Sequence, residues 1–166
     1  MKKLYPFIII FVSFVLQSTV MHFITIIDII PNISLLFLII FSVQLGEYYG
    51  GSLGIFLGVL TDVLYLGSFG INTLIYFITG YFLGTFKENV YKEDYLTYFA
   101  ATGIMSIVYN GFFYIIIFFL RINTGSLINV ITPIIIETIL NLALLYPILK
   151  IEFFLLDRLG IKVKYY

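Results

Sequence analysis

The sequence predicts an all-α integral membrane protein, organised as a bundle of six membrane-spanning helices. Of its 166 residues, 61% are hydrophobic and only 11% are charged, and the mean hydropathy is +1.10. A soluble domain usually carries about 25% charged residues and cannot bury so much apolar surface in a chain of this length. The apolar runs are long and show no alternation with polar residues, which favours helices over barrel strands.

Six apolar segments are candidate spans, and they lie at about residues 4–25, 33–46, 50–66, 70–86, 96–120 and 127–149. The first, fifth and sixth meet the requirement of about 20 residues for crossing the hydrocarbon layer. The second and third are short, so they are either tilted, placed in a thinned bilayer, or paired as a re-entrant segment. Residues 1–150 therefore form one polytopic domain. The mixture of apolar and charged residues in 151–166 predicts an amphipathic tail at the cytoplasmic interface.

The distribution of basic residues predicts the orientation of the bundle. With both termini in the cytoplasm, only Arg121 falls on the outer side of the membrane. The inner side then holds all the other basic residues, namely Lys2, Lys3, Lys87, Lys92, Lys150, Arg158, Lys162 and Lys164. This asymmetry is typical of the positive-inside rule and of an even number of spans. The net charge of zero and the lack of a basic run argue against nucleic acid as a partner.

Glycine recurs at every fourth residue through the start of the third span, and a shorter pair recurs in the fourth. The positions are Gly46, Gly50, Gly54, Gly58, Gly80 and Gly84. Residues four apart share one face of a helix, and a face without side chains lets another helix approach closely. In lipid the hydrophobic effect does not drive helices together, so close van der Waals contact holds them instead. We interpret these six glycines as helix-packing positions rather than as ligand contacts.

Polar side chains interrupt the apolar spans at a few points, and we take them as candidates for a polar pocket: Gln17, His22, Asp62, Asn72, Glu137 and Asn141. Asp62 follows the glycine row toward the outer end of span three. It either lines a small pocket together with Asn72 or caps the N-terminus of the next helix, where a carboxylate is favoured.

Glu137 lies near the middle of the sixth span, on the same helix face as Asn141 and Pro133. It is either a proton relay or substrate contact, or a structural acid that holds helices together. His22 has no Cys and no second His with which to form a metal site, so an interhelical hydrogen bond is the simpler interpretation. No Walker loop, nucleophile elbow, zinc-protease motif or dinucleotide fingerprint is present. The sequence therefore predicts no enzyme activity, no cofactor and no metal.

Several of these features occur in one order along the chain, and together they resemble the rod shape-determining protein MreD family. They are Leu16-Gln17-Ser18-Thr19, Pro31-Asn32-Ile33, the row Gly50, Gly54, Gly58 and Asp62, then Gly67, Gly70, Asn72-Thr73-Leu74, Gly80-Tyr81 and Gly84. The likeness covers nearly the whole chain, and the stretch from Gly50 to Gly84 is its specific part. One departure is Glu47, which follows Gly46 where the family pattern leads us to expect a basic residue nearby.

The resemblance implies a multi-pass subunit of the bacterial cytoplasmic (inner) membrane that supports rod shape and lateral peptidoglycan synthesis. It implies a non-enzymatic scaffold, similar in fold to the substrate-binding subunits of energy-coupling-factor transporters. The implied partners are MreC first, then RodA, a penicillin-binding transpeptidase and MreB in the same complex, together with the lipid bilayer. The alternative function is a small-solute, vitamin-like transporter or its substrate-binding subunit, which the intramembrane polar residues favour.

Overall fold

The computed structural model describes residues 4–19, 29–64, 70–88, 95–119 and 127–158, and these form an all-helical bundle. The six α-helices are α1 (Tyr5–Thr19), α2 (Ile33–Leu45), α3 (Glu47–Leu64), α4 (Ile71–Thr85), α5 (Tyr95–Phe119) and α6 (Leu127–Arg158). One turn of 3₁₀ helix, Phe86–Glu88, follows α4. Residues 20–25 of the first predicted span and the end of the predicted tail, 159–166, lie outside the described residues.

The all-α class predicted from the sequence is confirmed, and two of the helices are long and apolar enough to cross a membrane. Their apolar stretches are Tyr95–Ile116 in α5 and Val130–Leu155 in α6. Two shorter apolar helices are α1 and α2. Among the described residues, length and apolarity thus identify two of the six predicted spans.

The short helix α2 is the centre of the bundle and contacts all five other helices. Ten of its 13 residues are buried. At 1.5 Å per residue it is only about 20 Å long, less than the ~30 Å of a hydrocarbon layer. Because its neighbours enclose it, its polar residues Ser34 and Gln44 are buried in protein rather than in lipid.

Both ends of α2 are fixed by specific contacts. Pro31 precedes the helix, and the Asn32 side chain caps it by accepting a 3.0 Å hydrogen bond from the Leu35 amide. At the other end Gly46 adopts a φ of +98°, which glycine tolerates without strain. The Lys87 ammonium, from the turn after α4, donates to the Leu45 carbonyl at 3.1 Å. A basic residue therefore reaches the turn before Glu47 from a distant part of the chain.

The last helix, α6, is continuous over 32 residues, or about 48 Å, and contains Pro133 and Pro147. It includes both the predicted sixth span, 127–149, and the first part of the predicted interfacial tail, 151–166. A helix of this length exceeds the ~30 Å thickness of a hydrocarbon layer.

Candidate functional site

The glycine face of α3 packs against the backbone of α4, inside the same chain. A Cβ atom added to Gly54 would lie 2.9 Å from the Phe77 Cα, and one added to Gly58 would lie 2.7 Å from the Thr73 nitrogen. Gly50 and Gly80 face each other so closely that neither could carry a side chain. The two helices therefore touch through their main chains, which is the contact that small residues allow in membranes.

The remaining two glycines of the predicted set extend this contact to the end of the hairpin. Gly84 lies against the backbone of Glu47 and Gly46. A Cβ atom on Gly46 would lie 2.9 Å from the Lys87 side chain. All six glycines thus belong to one seam, which we call the glycine seam and define as the contact of α4 with α3 and with the turn before it. Because the seam is filled by the chain itself, it offers no groove to a partner protein.

Asp62, near the end of α3, holds the N-terminus of α4. Its Oδ2 accepts hydrogen bonds from the Gly70 amide (3.0 Å), the Thr73 amide (3.0 Å) and the Thr73 hydroxyl (2.6 Å). Its Oδ1 accepts from the Asn72 amide (3.1 Å) and the Asn72 side chain (3.0 Å). Asp62 is 2% exposed, and its carboxylate receives five donors, three of them backbone amides at the start of α4. Asp62 therefore caps α4 and also fixes the orientation of Asn72.

A polar network continues from Asn72 across the bundle. The Tyr109 hydroxyl donates to the Asn72 Oδ1 at 3.0 Å, and the Tyr109 ring stacks on Tyr76 with centroids 4.8 Å apart. The Asn32 side chain donates to the Tyr76 hydroxyl at 3.1 Å. Together with Asp62, which holds Asn72, these residues join α2, α3, α4 and α5.

Asn141 of α6 joins the same network. Its Oδ1 accepts a hydrogen bond from the Asn32 backbone amide at 2.8 Å, and its Nδ2 donates to the Ser106 hydroxyl at 3.0 Å. The side chain is fully buried. Asn141 therefore bridges the start of α2 and the middle of α5, and its bonds are satisfied within the protein.

A cleft of about 330 Å³ opens beside this network. Its described lining residues are Gln17, Ile30, Asn32, Thr61, Asn72, Tyr76, Tyr109, Asn110, Phe113 and Glu137. The volume lies at the lower end of the range for small-molecule sites, and the combination of apolar wall and convergent polar groups is typical of them. Among these described lining residues, Glu137 has the only carboxylate and none is a Lys or an Arg.

The structure brings most of the predicted pocket residues to this cleft. Gln17, Asn72 and Glu137 line it, Asp62 supports it through Asn72, and Asn141 lies behind it beside Glu137. The Gln17 side chain reaches the start of α2, where its Oε1 accepts from the Ser34 amide at 2.9 Å. His22 lies outside the described residues. Among those described, no group of three His, Cys, Asp or Glu side chains could hold a metal ion.

Some residues of the network were not predicted from the sequence as pocket residues. They are Asn32, Tyr76, Ser106 and Tyr109. A usable signal existed for Tyr76, which stands four residues after Asn72 and so shares its helix face. The same spacing relates Ser106 to Asn110. The contacts of Tyr109 and Asn32 depend on which helices are neighbours, and a single sequence does not encode that directly.

A second buried carboxylate lies at the opposite end of the bundle, near the C-terminus of α2. The Glu152 side chain is fully buried, and its Oε2 accepts a 3.2 Å hydrogen bond from the Gln44 side chain. Within the described residues its other oxygen has no hydrogen-bond partner. Glu152 is separate from the cleft, so the two glutamates of α6 occupy different environments.

The chain matches a known protein family. The family described as "rod shape-determining protein MreD" matches residues 1–156, which is nearly the entire chain. No curated protein and no solved structure shows a significant match to the chain.

Proposed function

The chain belongs to the MreD family of rod shape-determining proteins, and from this membership we propose that it is a non-enzymatic scaffold in the membrane part of the cell-elongation machinery. The single observation that carries the proposal is the family match over residues 1–156. In this role the protein supports rod shape and lateral peptidoglycan synthesis by holding other subunits together.

The apolar surface of the bundle supports a location in the lipid bilayer. Large apolar side chains are exposed on several helices. Examples are Phe11 of α1, Val59 of α3, Ile107 of α5 and Ile135 of α6. In water such a surface would drive aggregation, whereas in a bilayer it faces acyl chains or the helices of partners. The proposal places the protein in the bacterial cytoplasmic membrane as a multi-pass protein.

The topology we propose has six spans and both termini in the cytoplasm. The consecutive helices of the described hairpins run antiparallel, so the end of α2 near Lys87 and Glu152 is opposite to the end near Asn32 and Asp62. Lys87, on the first of these ends, would face the cytoplasm, as the positive-inside rule requires. The cleft would then open toward the outer half of the membrane. An arrangement similar to the substrate-binding subunits of energy-coupling-factor transporters is part of this proposal.

The family is part of the MreBCD shape complex, so the partner we propose first is MreC. RodA, a penicillin-binding transpeptidase and MreB follow as members of the same complex. Since the glycine seam is closed within the chain, the contact with MreC would use the outward-facing apolar side chains of the helices instead.

Depletion of the protein in its host tests the proposal directly. Cells should lose rod shape, and the wild-type gene should restore it. MreC should co-purify with the tagged protein from detergent-solubilised membranes. The conservative variant Glu137→Gln should also restore shape and retain MreC, because a scaffold needs no reactive carboxylate. Normal rods after depletion, or no MreC in the purified sample, would contradict the proposal.

The cleft favours a second candidate function, a small-solute transporter or its substrate-binding subunit. This function predicts uptake of a solute into proteoliposomes and its loss in Glu137→Gln. A panel of vitamin-sized compounds should then raise the thermal stability of the purified protein, since ligand binding to the native state must do so. Failure of the whole panel, together with full shape rescue by Glu137→Gln and Asp62→Asn, would remove this candidate.

A further inference from the structure

We propose that the cleft beside Glu137 binds an organic ammonium group that carries N–H donors, with the Glu137 carboxylate as its counter-charge. The source is either a soluble amine or the headgroup of a membrane lipid. The inference concerns binding alone and does not rest on the scaffold role. It follows from which polar atoms the cleft leaves open, from its charge, and from its size.

The amides on the inner wall of the cleft are already used inside the protein. Asn72 donates to Asp62 and accepts from Tyr109. Asn32 donates to Tyr76 and caps Leu35 through its oxygen. Because both ends of each amide are engaged, these residues shape the wall and cannot rearrange for a ligand without breaking the network.

The groups that remain available on the cleft wall are mostly hydrogen-bond acceptors. Glu137 contributes a carboxylate, which accepts hydrogen bonds from the side chains of Asn110 and Asn141 and keeps further lone pairs. Asn110 keeps its oxygen because its nitrogen donates to Glu137 and to the Ser106 carbonyl. The Thr61 hydroxyl donates to the Leu57 carbonyl, which leaves its oxygen lone pairs. Only Gln17 offers an amide donor, since its oxygen is taken by the Ser34 amide. A ligand that satisfies this wall must bring its own donors.

Among ligands that carry hydrogen-bond donors, the negative charge of Glu137 favours a cation. Asp62 is balanced by five donors at a helix N-terminus, whereas the hydrogen-bond partners of Glu137 among the described residues are the neutral side chains of Asn110 and Asn141. A carboxylate in such apolar surroundings gains most from an opposite charge. A phosphate or carboxylate ligand would be repelled. The lining ring of Phe113 can cover the carbon part of an amine.

The test uses two pairs of probes that differ only in their N–H donors. Ethanolamine and choline carry the same charge, but the quaternary nitrogen of choline has no N–H group. Phosphatidylethanolamine and phosphatidylcholine form the corresponding lipid pair. Thermal unfolding of the purified protein is followed by circular dichroism, in detergent with the soluble probes and in nanodiscs of each lipid.

If the ligand is a soluble amine, ethanolamine should raise the unfolding midpoint in detergent and choline should not. If it is a lipid headgroup, phosphatidylethanolamine nanodiscs should stabilise the protein over phosphatidylcholine nanodiscs, with no effect of free ethanolamine. In either case Glu137→Gln should weaken the apparent affinity about tenfold or more, because a charge-assisted hydrogen bond becomes a neutral one.

Glu152→Gln is the matched control, since it removes the carboxylate of the other glutamate of α6, at the far end of the bundle. It should keep the full difference between the probes of each pair. Equal responses to both members of both pairs, or the same response from Glu137→Gln as from the wild-type protein, would overturn the proposal. Co-purification of MreC is measured on the same variants, so loss of amine binding and loss of the scaffold role are read separately.

Discussion

The α3–α4 and α5–α6 hairpins are held together by different kinds of contact. In the first hairpin, glycines bring two backbones into direct contact, and the result is the most extensive helix–helix interface of the described bundle. In the second, side chains meet: Tyr98 and Phe153 pack edge to face, and Ser106 pairs with Asn141. In the apolar stretches of α5 and α6, only 28% of the residues are buried inside the protein.

The difference shows that a glycine in a membrane helix marks a packing surface only when its position is matched by a partner backbone. Gly111 of α5 has open space where a Cβ atom would lie, and a Cβ atom on Gly103 would make only ordinary van der Waals contact at 3.9 Å with Leu142. The glycines of α3 have no such space. Spacing by four residues, rather than glycine content, separates the two cases.

The largest expected effect is that of Gly54→Leu in the glycine seam. The new side chain would have to displace the backbone of Tyr76 and Phe77, and no side-chain rotation can relieve that overlap. We expect a loss of about 3 kcal/mol or more, enough to prevent a monodisperse species in detergent. Thermal unfolding and size-exclusion chromatography of the purified variant measure this.

Gly111→Leu is the matched control, since it places the same side chain on a glycine of α5. It should leave stability unchanged or raise it by up to about 1 kcal/mol, because replacing glycine reduces the entropy of the unfolded helix. If Gly54→Leu and Gly111→Leu behave alike, the contrast between the two hairpins is wrong.

The next effect in size is that of Asp62→Ala, which removes the cap of α4. Five donors lose their acceptor, among them the buried amide of Asn72. We expect a cost of about 2 kcal/mol, measured as a drop in the unfolding midpoint.

The variant Thr73→Val removes a single donor of that cap and should cost less than Asp62→Ala. The double variant should be hardly less stable than Asp62→Ala alone, because the hydroxyl acts through the carboxylate. Fully additive losses would show that Asp62 does not act as the common acceptor.

Asn141→Leu tests whether the second hairpin depends on hydrogen bonding where the first depends on backbone contact. It removes the acceptor of the Asn32 amide and the donor to Ser106. Hydrogen bonds between membrane helices are modest, so we expect a loss of about 1 kcal/mol. Ser106→Ala, which removes one of these two bonds, should cost about half as much. An unchanged midpoint in Asn141→Leu would mean that side-chain packing alone holds α5 and α6 to α2.

The sequence predicted the helical class, because long apolar runs bounded by Pro31, Gly46 and Gly70 leave few alternatives. It predicted a packing face on α3 but not its partner, since a glycine row looks the same against a helix of its own chain or of another protein. Most of the proposed pocket residues gather near one cleft. The contact of Lys87 with Leu45 joins residues 42 apart, and no local pattern indicates it.

The smallest expected effect is that of Tyr109→Phe, which tests a hydrogen bond between the two hairpins. Tyr109 lies on α5, and its hydroxyl donates to Asn72 of the first hairpin while its ring stacks on Tyr76. The variant keeps the stack and loses only the hydrogen bond, so the cost should be about 0.5 kcal/mol. Tyr114→Phe on the same helix, where no hydrogen bond is seen among the described residues, should cost nothing measurable. Asp62 already holds Asn72 through one bond from its side-chain nitrogen and one from its backbone amide. A larger loss would therefore show that the Asn72 side chain is positioned from α5 rather than by the cap of α4.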